Sequence, residues 1–90
     1  MTPAAGTIRV LVCDDSKTYA AALVRMLEYD KTIEVVSVCP TAEAAIATVP
    51  TIAPDLVTMD IELPGLSGFD AVEQIMSMSP VPILVISSFV

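Results

Sequence analysis

Histidine and tryptophan are absent from this chain of 90 residues, and cations are scarce. Without histidine, the chain cannot form a Ser-His-Asp hydrolase site. Four Lys and Arg residues against eleven Asp and Glu residues give a net charge of −7, which disfavours a nucleic-acid partner. All four cations lie within the first 31 residues and none follows Lys31, so a divalent metal would relieve repulsion among the later acids.

Long apolar runs and signal-like segments are also missing. No apolar stretch approaches the roughly 20 residues that a membrane-spanning helix needs. The first residues, Met1 to Thr7, contain no hydrophobic region of a secretory signal, and they are typical of a flexible tail. We therefore expect a cytoplasmic protein in which residues 8–90 form one domain.

Only two cysteines are present, and each ends a predicted strand. If those strands are neighbours, Cys13 and Cys39 lie close enough that geometry alone does not exclude a disulfide. Because the chain has no cysteine-dense framework, we interpret both as reduced core residues.

What the chain does contain is a regular alternation of apolar runs and helical patterns. Strands are predicted at about 8–13, 34–39, 55–59 and 83–87, and helices at about 16–29 and 68–77. Another helix starts at Thr41, and we expect Pro50 and Pro54 to stop it. The order βαβαβαβ predicts an α/β, doubly wound parallel sheet with right-handed crossovers. Since the sequence stops soon after the fourth strand, we interpret it as truncated.

Apolar spacing predicts which side of each helix faces the sheet. The expected inward residues are Ala20, Leu23, Val24 and Leu27 in the first helix, Ala42, Ala45, Ile46 and Val49 in the second, and Phe69, Val72, Ile75 and Met76 in the third. Between strand 3 and helix 3, Pro64, Gly65 and Gly68 indicate a tight turn with a positive φ at a glycine.

Three acids follow two of the predicted strands. Asp14 and Asp15 come directly after strand 1, and Asp60 comes after strand 3. Because adjacent parallel strands end at the same edge of a sheet, these carboxylates should converge in one crevice. Such a cluster is unstable unless a cation binds to it or a carboxyl stays protonated, and the simplest solution is a hard divalent metal with oxygen ligands. A structural alternative is that Asp14 or Asp15 caps the first helix, which explains one acid but not two.

Taken together, these positions resemble the receiver domain of two-component response regulators. The resemblance rests on Asp14-Asp15, on Asp60 followed by Pro64 and Gly68, and on Ser87 at the end of strand 4. The segment 57–68, with its Asp-x-Glu-x-Pro form, and the Ser-Ser end of strand 4 are most similar to the regulatory domain of chemotaxis protein-glutamate methylesterases (the CheB type).

The resemblance implies a flavodoxin/CheY-like fold and a function. It implies that Asp60 accepts a phosphoryl group from a sensor histidine kinase, which would dock near the first helix, and that Ser87 hydrogen-bonds a phosphoryl oxygen. Mg²⁺ would be bound by Asp15 directly, by Asp14 through water, by Asp60 and by the backbone carbonyl of Glu62. An attached effector, the methylesterase domain of a longer parent, would be regulated; this chain itself would not be an enzyme.

Receivers normally continue into a fifth strand that carries a lysine, and the helix–strand–helix segment of which it is part is lacking here. No lysine follows Lys31, so we expect impaired phosphoryl capture. The fourth strand would also be left as an open edge, and we expect the chain to self-associate.

Two other functions remain open from the sequence. A pseudo-receiver would serve only as a protein-interaction module, without phosphorylation. A Mg²⁺-dependent aspartyl-phosphate phosphatase would use Asp14 or Asp15 as the nucleophile, although such enzymes carry a second acid where this chain has Ser16. A nucleotide-binding module is disfavoured because no Gly-rich loop follows strand 1.

Overall fold

The computed structural model describes residues 6–87, which form four strands and three helices in strict alternation. The expected tail at residues 1–7 falls largely outside this range, as does Ser88. The elements are β1 (Ile8–Cys13), α1 (Lys17–Glu28), β2 (Ile33–Cys39), α2 (Ala42–Ile52), β3 (Leu56–Asp60), α3 (Gly68–Met78) and β4 (Ile83–Ile86).

All strand pairs are parallel, and the strand order is β2-β1-β3-β4. This order arises because the chain reverses its direction of travel across the sheet after β2, and it is the doubly wound flavodoxin/CheY-like arrangement. The predicted fold class is therefore confirmed. The reversal sets β1 beside β3, with Cys13 paired to Met59, so the residues that follow both strands lie at one sheet edge.

The helices cover the sheet in two separate layers. On one face, the buried Ala20 and the partly buried apolar side chains of α1 pack against Val10 and Val12. On the other face, α2 and α3 bury small residues and Ile75 against Leu11, Val57 and Met59 of the central strands, as predicted from their β-branched and apolar composition. Within the described residues, no helix is long and apolar enough to cross a membrane.

Two predicted details of the helices were wrong. Pro50 does not end α2 but lies inside its last turn, where it costs one backbone hydrogen bond; the helix closes at Ala53, which adopts a left-handed conformation (φ 47°) just before Pro54. In α3, Phe69 and Met76 are exposed, because the inward stripe runs instead through Gly68, Ala71 and Ile75. Each mispredicted residue lies one position past that stripe, about 100° around the helix.

Both cysteines are free and buried, as expected. Cys13 and Cys39 occupy paired positions on β1 and β2, and the Cys13 thiol lies 3.4 Å from the carbonyl oxygen of Thr41. They act as small core residues beneath the edge of the sheet at which the acids gather.

Candidate functional site

Three carboxylates converge at the carboxyl edge of the central strands. Oxygen atoms of Asp14, Asp15 and Asp60 all lie within 4.8 Å of one another. Asp60 is buried (3% exposed), Asp14 is half-buried and Asp15 is exposed, so the cluster opens from the sheet towards solvent. The crevice predicted from the strand ends is therefore present among the described residues.

The turn after β1 fixes the position of Asp14. Its backbone N–H donates to the carbonyl oxygen of Cys39 (3.0 Å), which ties it to the end of β2. Its Oδ1 accepts the backbone N–H of Ser16 (2.9 Å). The alternative in which an aspartate caps α1 is wrong, because the cap is Ser16, whose hydroxyl accepts the N–H of Tyr19. Both acids thus remain directed to the cluster rather than to the helix.

The loop after β3 holds Asp60 in a similar way. Oδ1 of Asp60 accepts the backbone N–H of Glu62 (2.9 Å), which limits rotation of the carboxylate. The buried side chain of Leu63 anchors the loop in the core beneath α2 and α3. Gly65 has the predicted positive φ (76°), so the chain turns back here towards α3.

The cluster is electrostatically unfavourable without a cation. The pKa of Asp14 is raised, first by burial and then by the neighbouring charges of Asp60 and Asp15, against the lowering effect of the hydrogen bond from Ser16. Burial, together with Cys39 and the same acids, raises the pKa of Cys13 to about 12. Negative charge at this edge is therefore penalised, and a bound cation would offset that penalty.

The donor set fits a hard divalent cation. Three carboxylates supply anionic oxygen ligands, which Mg²⁺ and Ca²⁺ prefer, and the buried thiol of Cys13 points to the Thr41 carbonyl oxygen rather than offering a soft ligand. Because Mg²⁺ commonly uses only one or two carboxylates and retains water, the open side at Asp15 suits it.

The remaining predicted site residues lie at the same edge. Glu62 is exposed, and its backbone contacts the Asp60 carboxylate. Ser87 is also exposed and follows Ile86, which is paired with Asp60 and accepts the backbone N–H of Ile61 (3.1 Å). The roles of the Glu62 carbonyl as a metal ligand and of Ser87 as a phosphoryl partner remain predictions.

Two structural features were not predicted, one at the site and one at the opposite edge of the sheet. Gly68 packs directly on the backbone of Asp60, a contact that only a residue without a Cβ allows. Arg9 donates from Nη1 to the carbonyl oxygens of Ile52 (2.8 Å) and Ala53 (2.9 Å), which fixes the end of α2 before β3 begins. A lone cation at the start of an otherwise apolar strand was the only sequence signal for the second feature.

Comparison with known proteins identifies relatives over nearly the whole chain. The response regulator receiver domain family matches residues 10–90. A protein-glutamate methylesterase/protein-glutamine glutaminase of Idiomarina loihiensis is 43% identical over 82 residues, which are 91% of this chain and 21% of that protein. The corresponding protein of Halalkalibacterium halodurans is 40% identical over 81 residues, or 90% of this chain and 23% of the relative.

Solved structures agree with these relatives. The response regulator domain of Thermotoga maritima CheB superimposes with a TM-score of 0.88 at 34% identity, covering 91% of this chain and 61% of that one. The signal receiver domain of a putative response regulator NarL from Mycobacterium tuberculosis gives a TM-score of 0.86 at 27% identity, covering 93% and 68%. The chain thus spans about a fifth of its curated relatives and under two thirds of the CheB domain.

Proposed function

The chain belongs to the response regulator receiver domain family, and on that basis we propose that it is a two-component signalling module phosphorylated on Asp60 in a Mg²⁺-dependent reaction. The observation that carries the proposal is the meeting of three carboxylates within 4.8 Å at the edge where the central strands end. Carboxylates this close repel one another, and a cation-dependent reaction would explain why the fold brings them together.

Asp60 is the acceptor in this proposal because it is the most buried acid of the cluster and because a hydrogen bond orients its carboxylate. It is 3% exposed, and its Oδ1 is held by the Glu62 N–H, so its carboxylate presents a defined direction of attack. A carboxylate oxygen of Asp60 forms a bond to phosphorus as the phosphorus–nitrogen bond of a phosphohistidine breaks. The electron pair stays on the departing imidazole nitrogen, which takes up a proton.

The metal would be held by Asp15 directly, by Asp14 through water, by Asp60 and by the Glu62 carbonyl oxygen. Bound Mg²⁺ supplies positive charge that reduces repulsion between the attacking carboxylate and the anionic phosphoryl group. The chain's own residues do the positioning, since Ser16 orients Asp14 and Glu62 orients Asp60. Ser87, beyond the end of β4, would donate its hydroxyl hydrogen to a phosphoryl oxygen.

The partners follow from the relatives. The donor would be a sensor histidine kinase, and the effector would be a methylesterase domain in a longer parent protein, acting in chemotaxis in the cytoplasm. The curated relatives carry the names methylesterase and glutaminase, and they extend far beyond the segment matched here. Residues 8–90 would form the receiver unit and would not be an enzyme by themselves.

Intact mass spectrometry after incubation with Mg²⁺ and acetyl phosphate tests the proposal. We expect one phosphoryl addition in the native chain, none in Asp60→Asn, and an unchanged addition in the matched control Asp70→Asn, whose acid lies on the first turn of α3. Omitting Mg²⁺ should abolish the addition. Phosphorylation mapped to Asp14 or Asp15 would instead indicate a phosphatase-type nucleophile.

A parallel Mg²⁺ titration separates two reasons for a negative result. An increase in melting temperature with Mg²⁺ but no phosphoryl addition would show a formed metal site that lacks a group needed for transfer. Neither stabilisation nor addition would overturn the proposal and favour a pseudo-receiver that acts only through protein contacts.

A further inference from the structure

A groove runs between α1 and the edge strand β2, on the face of the sheet that α1 covers. Its volume is about 430 Å³, and it is lined by two cations and four apolar residues: Lys17, Arg25, Ala20, Ala21, Val24 and Val38. Because the buried residue of α1 packs on β1, part of β2 is left uncovered, and Val38 is 47% exposed. β2 is the edge strand farthest from β4, and the groove is formed entirely by residues 17–38.

The two cations of the groove have no partner within residues 6–87. Lys17 and Arg25 are exposed, and neither side chain forms an ion pair or a hydrogen bond with the described residues. The acid nearest to Arg25 in sequence, Glu28, is engaged elsewhere, since its Oε2 accepts the backbone N–H of Val35 (2.9 Å). In a chain of net charge −7, this groove therefore complements a ligand that combines acids with apolar side chains.

The edge of β2 disfavours an extended ligand. The N–H of Val35 is already occupied by Glu28, and the pairing of β2 with β1 shifts register between Val10 and Leu11. Both features discourage another strand from pairing along β2. A helix satisfies its own backbone hydrogen bonds, so it needs none from the strand. The small side chain of Ala21 also lets a second helix approach α1 closely.

We propose that the groove between α1 and β2 binds an amphipathic helix of another protein, in which two acids flank the apolar residues. Lys17 and Arg25 are eight residues apart, which is ~12 Å along α1. A helix lying beside α1 can pair with both cations through acids seven or eight residues apart. Its apolar residues pack between them on Ala21, Val24 and Val38. The inference does not rest on the proposed phosphorylation, because none of the three clustered carboxylates lines the groove.

Two synthetic helical peptides test the chemistry of the partner. Each has about 16 residues, mostly alanine, with leucines at the centre of one face. One peptide carries two glutamates seven residues apart on that face, and the other carries two lysines there. In fluorescence anisotropy, we expect the native chain to bind the glutamate peptide about tenfold more tightly. General attraction to a chain of net charge −7 favours the lysine peptide, so the expected preference requires the local cations.

Two neighbouring alanines provide a matched pair of variants. Ala21 lines the groove, whereas Ala22 is also exposed but lies about 100° further round α1, outside the groove. Ala21→Glu and Ala22→Glu change the net charge and the helix propensity equally. Only Ala21→Glu places bulk and like charge against the glutamate peptide. We expect it to weaken binding by about tenfold or more, and Ala22→Glu to change binding by less than about twofold.

Reversing one cation tests the ion pairs separately. Arg25→Glu should weaken binding of the glutamate peptide by about fivefold and strengthen binding of the lysine peptide. Lys31→Glu, which changes the net charge equally but does not line the groove, should do neither. Native phosphoryl addition to Ala21→Glu, together with equal peptide binding in Mg²⁺ and in EDTA, would separate this site from the proposed phosphorylation.

Nuclear magnetic resonance of the native chain keeps the test valid if a variant folds poorly. Adding the glutamate peptide should shift the amide signals of Ala21, Val24 and Val38. Equal affinity for the two peptides, equal affinity of Ala21→Glu and Ala22→Glu for the glutamate peptide, or shifts only outside residues 17–38 would overturn the proposal. A native dimer that Ala21→Glu dissociates would also overturn it, because a second copy of this chain would then occupy the groove.

Discussion

Gly68 packs so closely on Asp60 that a Cβ at position 68 would lie 2.7 Å from the Cα of Ile61 and in collision with the carbonyl oxygen of Asp60. The backbone N–H of Gly68 faces the carbonyl oxygen of Ile61 across the same contact (3.4 Å). The first residue of α3 therefore lies directly against the end of β3, and the helix sets the position of the proposed phosphoacceptor through its backbone.

Replacing Gly68 with alanine should displace Asp60. Neither of the closest atoms can move without shifting the strand end, so we expect Gly68→Ala to lower the free energy of unfolding by about 1–3 kcal/mol and to weaken Mg²⁺ binding. Urea denaturation and Mg²⁺ titration by calorimetry measure the two effects. Gly65→Ala is the matched control, because it is strained by its φ of 76° but its Cβ would meet only the flexible Glu43 side chain at 3.8 Å. Native Mg²⁺ affinity in folded Gly68→Ala would contradict the expectation.

The contrast between Gly65 and Gly68 shows what sequence can and cannot predict here. The turn at Gly65 was predictable because Pro and Gly in a loop report local backbone conformation. The collision at residue 68 depends on where α3 lands against β3, and no local pattern encodes that distance. The meeting of Asp14, Asp15 and Asp60 was predictable because neighbouring parallel strands end at the same edge of a sheet, whereas the strand order was implied only by the resemblance to receiver domains.

Errors in the helices have the same origin. Phe69 and Met76 are apolar, and their spacing also fits a helical face, but the narrow gap between α3 and the sheet admits Gly68 and Ala71 instead. The intrinsic preference of Pro50 predicts a helix end at that residue, whereas the final turn of α2 is closed by Ala53 and stabilised by Arg9. In both cases tertiary contacts outweigh local preference.

Neutralising Asp14 should stabilise the metal-free chain. Its folded-state pKa is raised, so its contribution to stability is fully present below the unfolded-state pKa and is lost as pH rises through the folded-state value. At neutral pH in EDTA, we expect Asp14→Asn to raise the free energy of unfolding by about 1 kcal/mol, the scale of repulsion between two unit charges ~4 Å apart in a high dielectric. The gain should shrink below pH 4.

Saturating Mg²⁺ should reverse the order of stability of the native chain and Asp14→Asn. The native chain keeps all three carboxylates and should gain more stability from saturating Mg²⁺ than Asp14→Asn does. Asp70→Asn, outside the cluster, should resemble the native chain in EDTA and in Mg²⁺. Equal stability of Asp14→Asn and the native chain in EDTA at pH 7 would argue that the acids do not repel one another.

Thr58 carries a hydroxyl that costs stability. The residue is 2% exposed, and its Oγ1 makes no hydrogen bond within residues 6–87. Because valine has the same shape without the polar group, Thr58→Val should raise the free energy of unfolding by about 1 kcal/mol. Thr51→Val removes an exposed hydroxyl bonded to the Ala47 carbonyl oxygen and should change stability by less than about 0.5 kcal/mol. A destabilised Thr58→Val would mean that the hydroxyl has a partner.

Arg9 stabilises the junction between α2 and β3. Its guanidinium bonds the last carbonyl groups of the helix, and its backbone exchanges hydrogen bonds with Asp55, whose N–H donates to Arg9 O (2.8 Å) and whose Oδ2 accepts Arg9 N–H (2.9 Å). Arg9→Met keeps the aliphatic stem and should lower the free energy of unfolding by about 1–2 kcal/mol in chemical denaturation. Lys17→Met, which removes an exposed cation from α1, should have little effect. Equal losses of stability in Arg9→Met and Lys17→Met would indicate that the change in net charge alone is responsible.

Both native thiols should be unreactive in the folded chain. Cys13 is 1% exposed and Cys39 is 3% exposed, and burial raises the pKa of Cys13 to about 12, which leaves almost no thiolate at pH 8. A chromogenic disulfide reagent should label them only as fast as the chain unfolds, and should label them at once in urea. Ser77→Cys, exposed on α3, should react immediately in the folded chain. Rapid labelling of the native chain would show that the strand ends open.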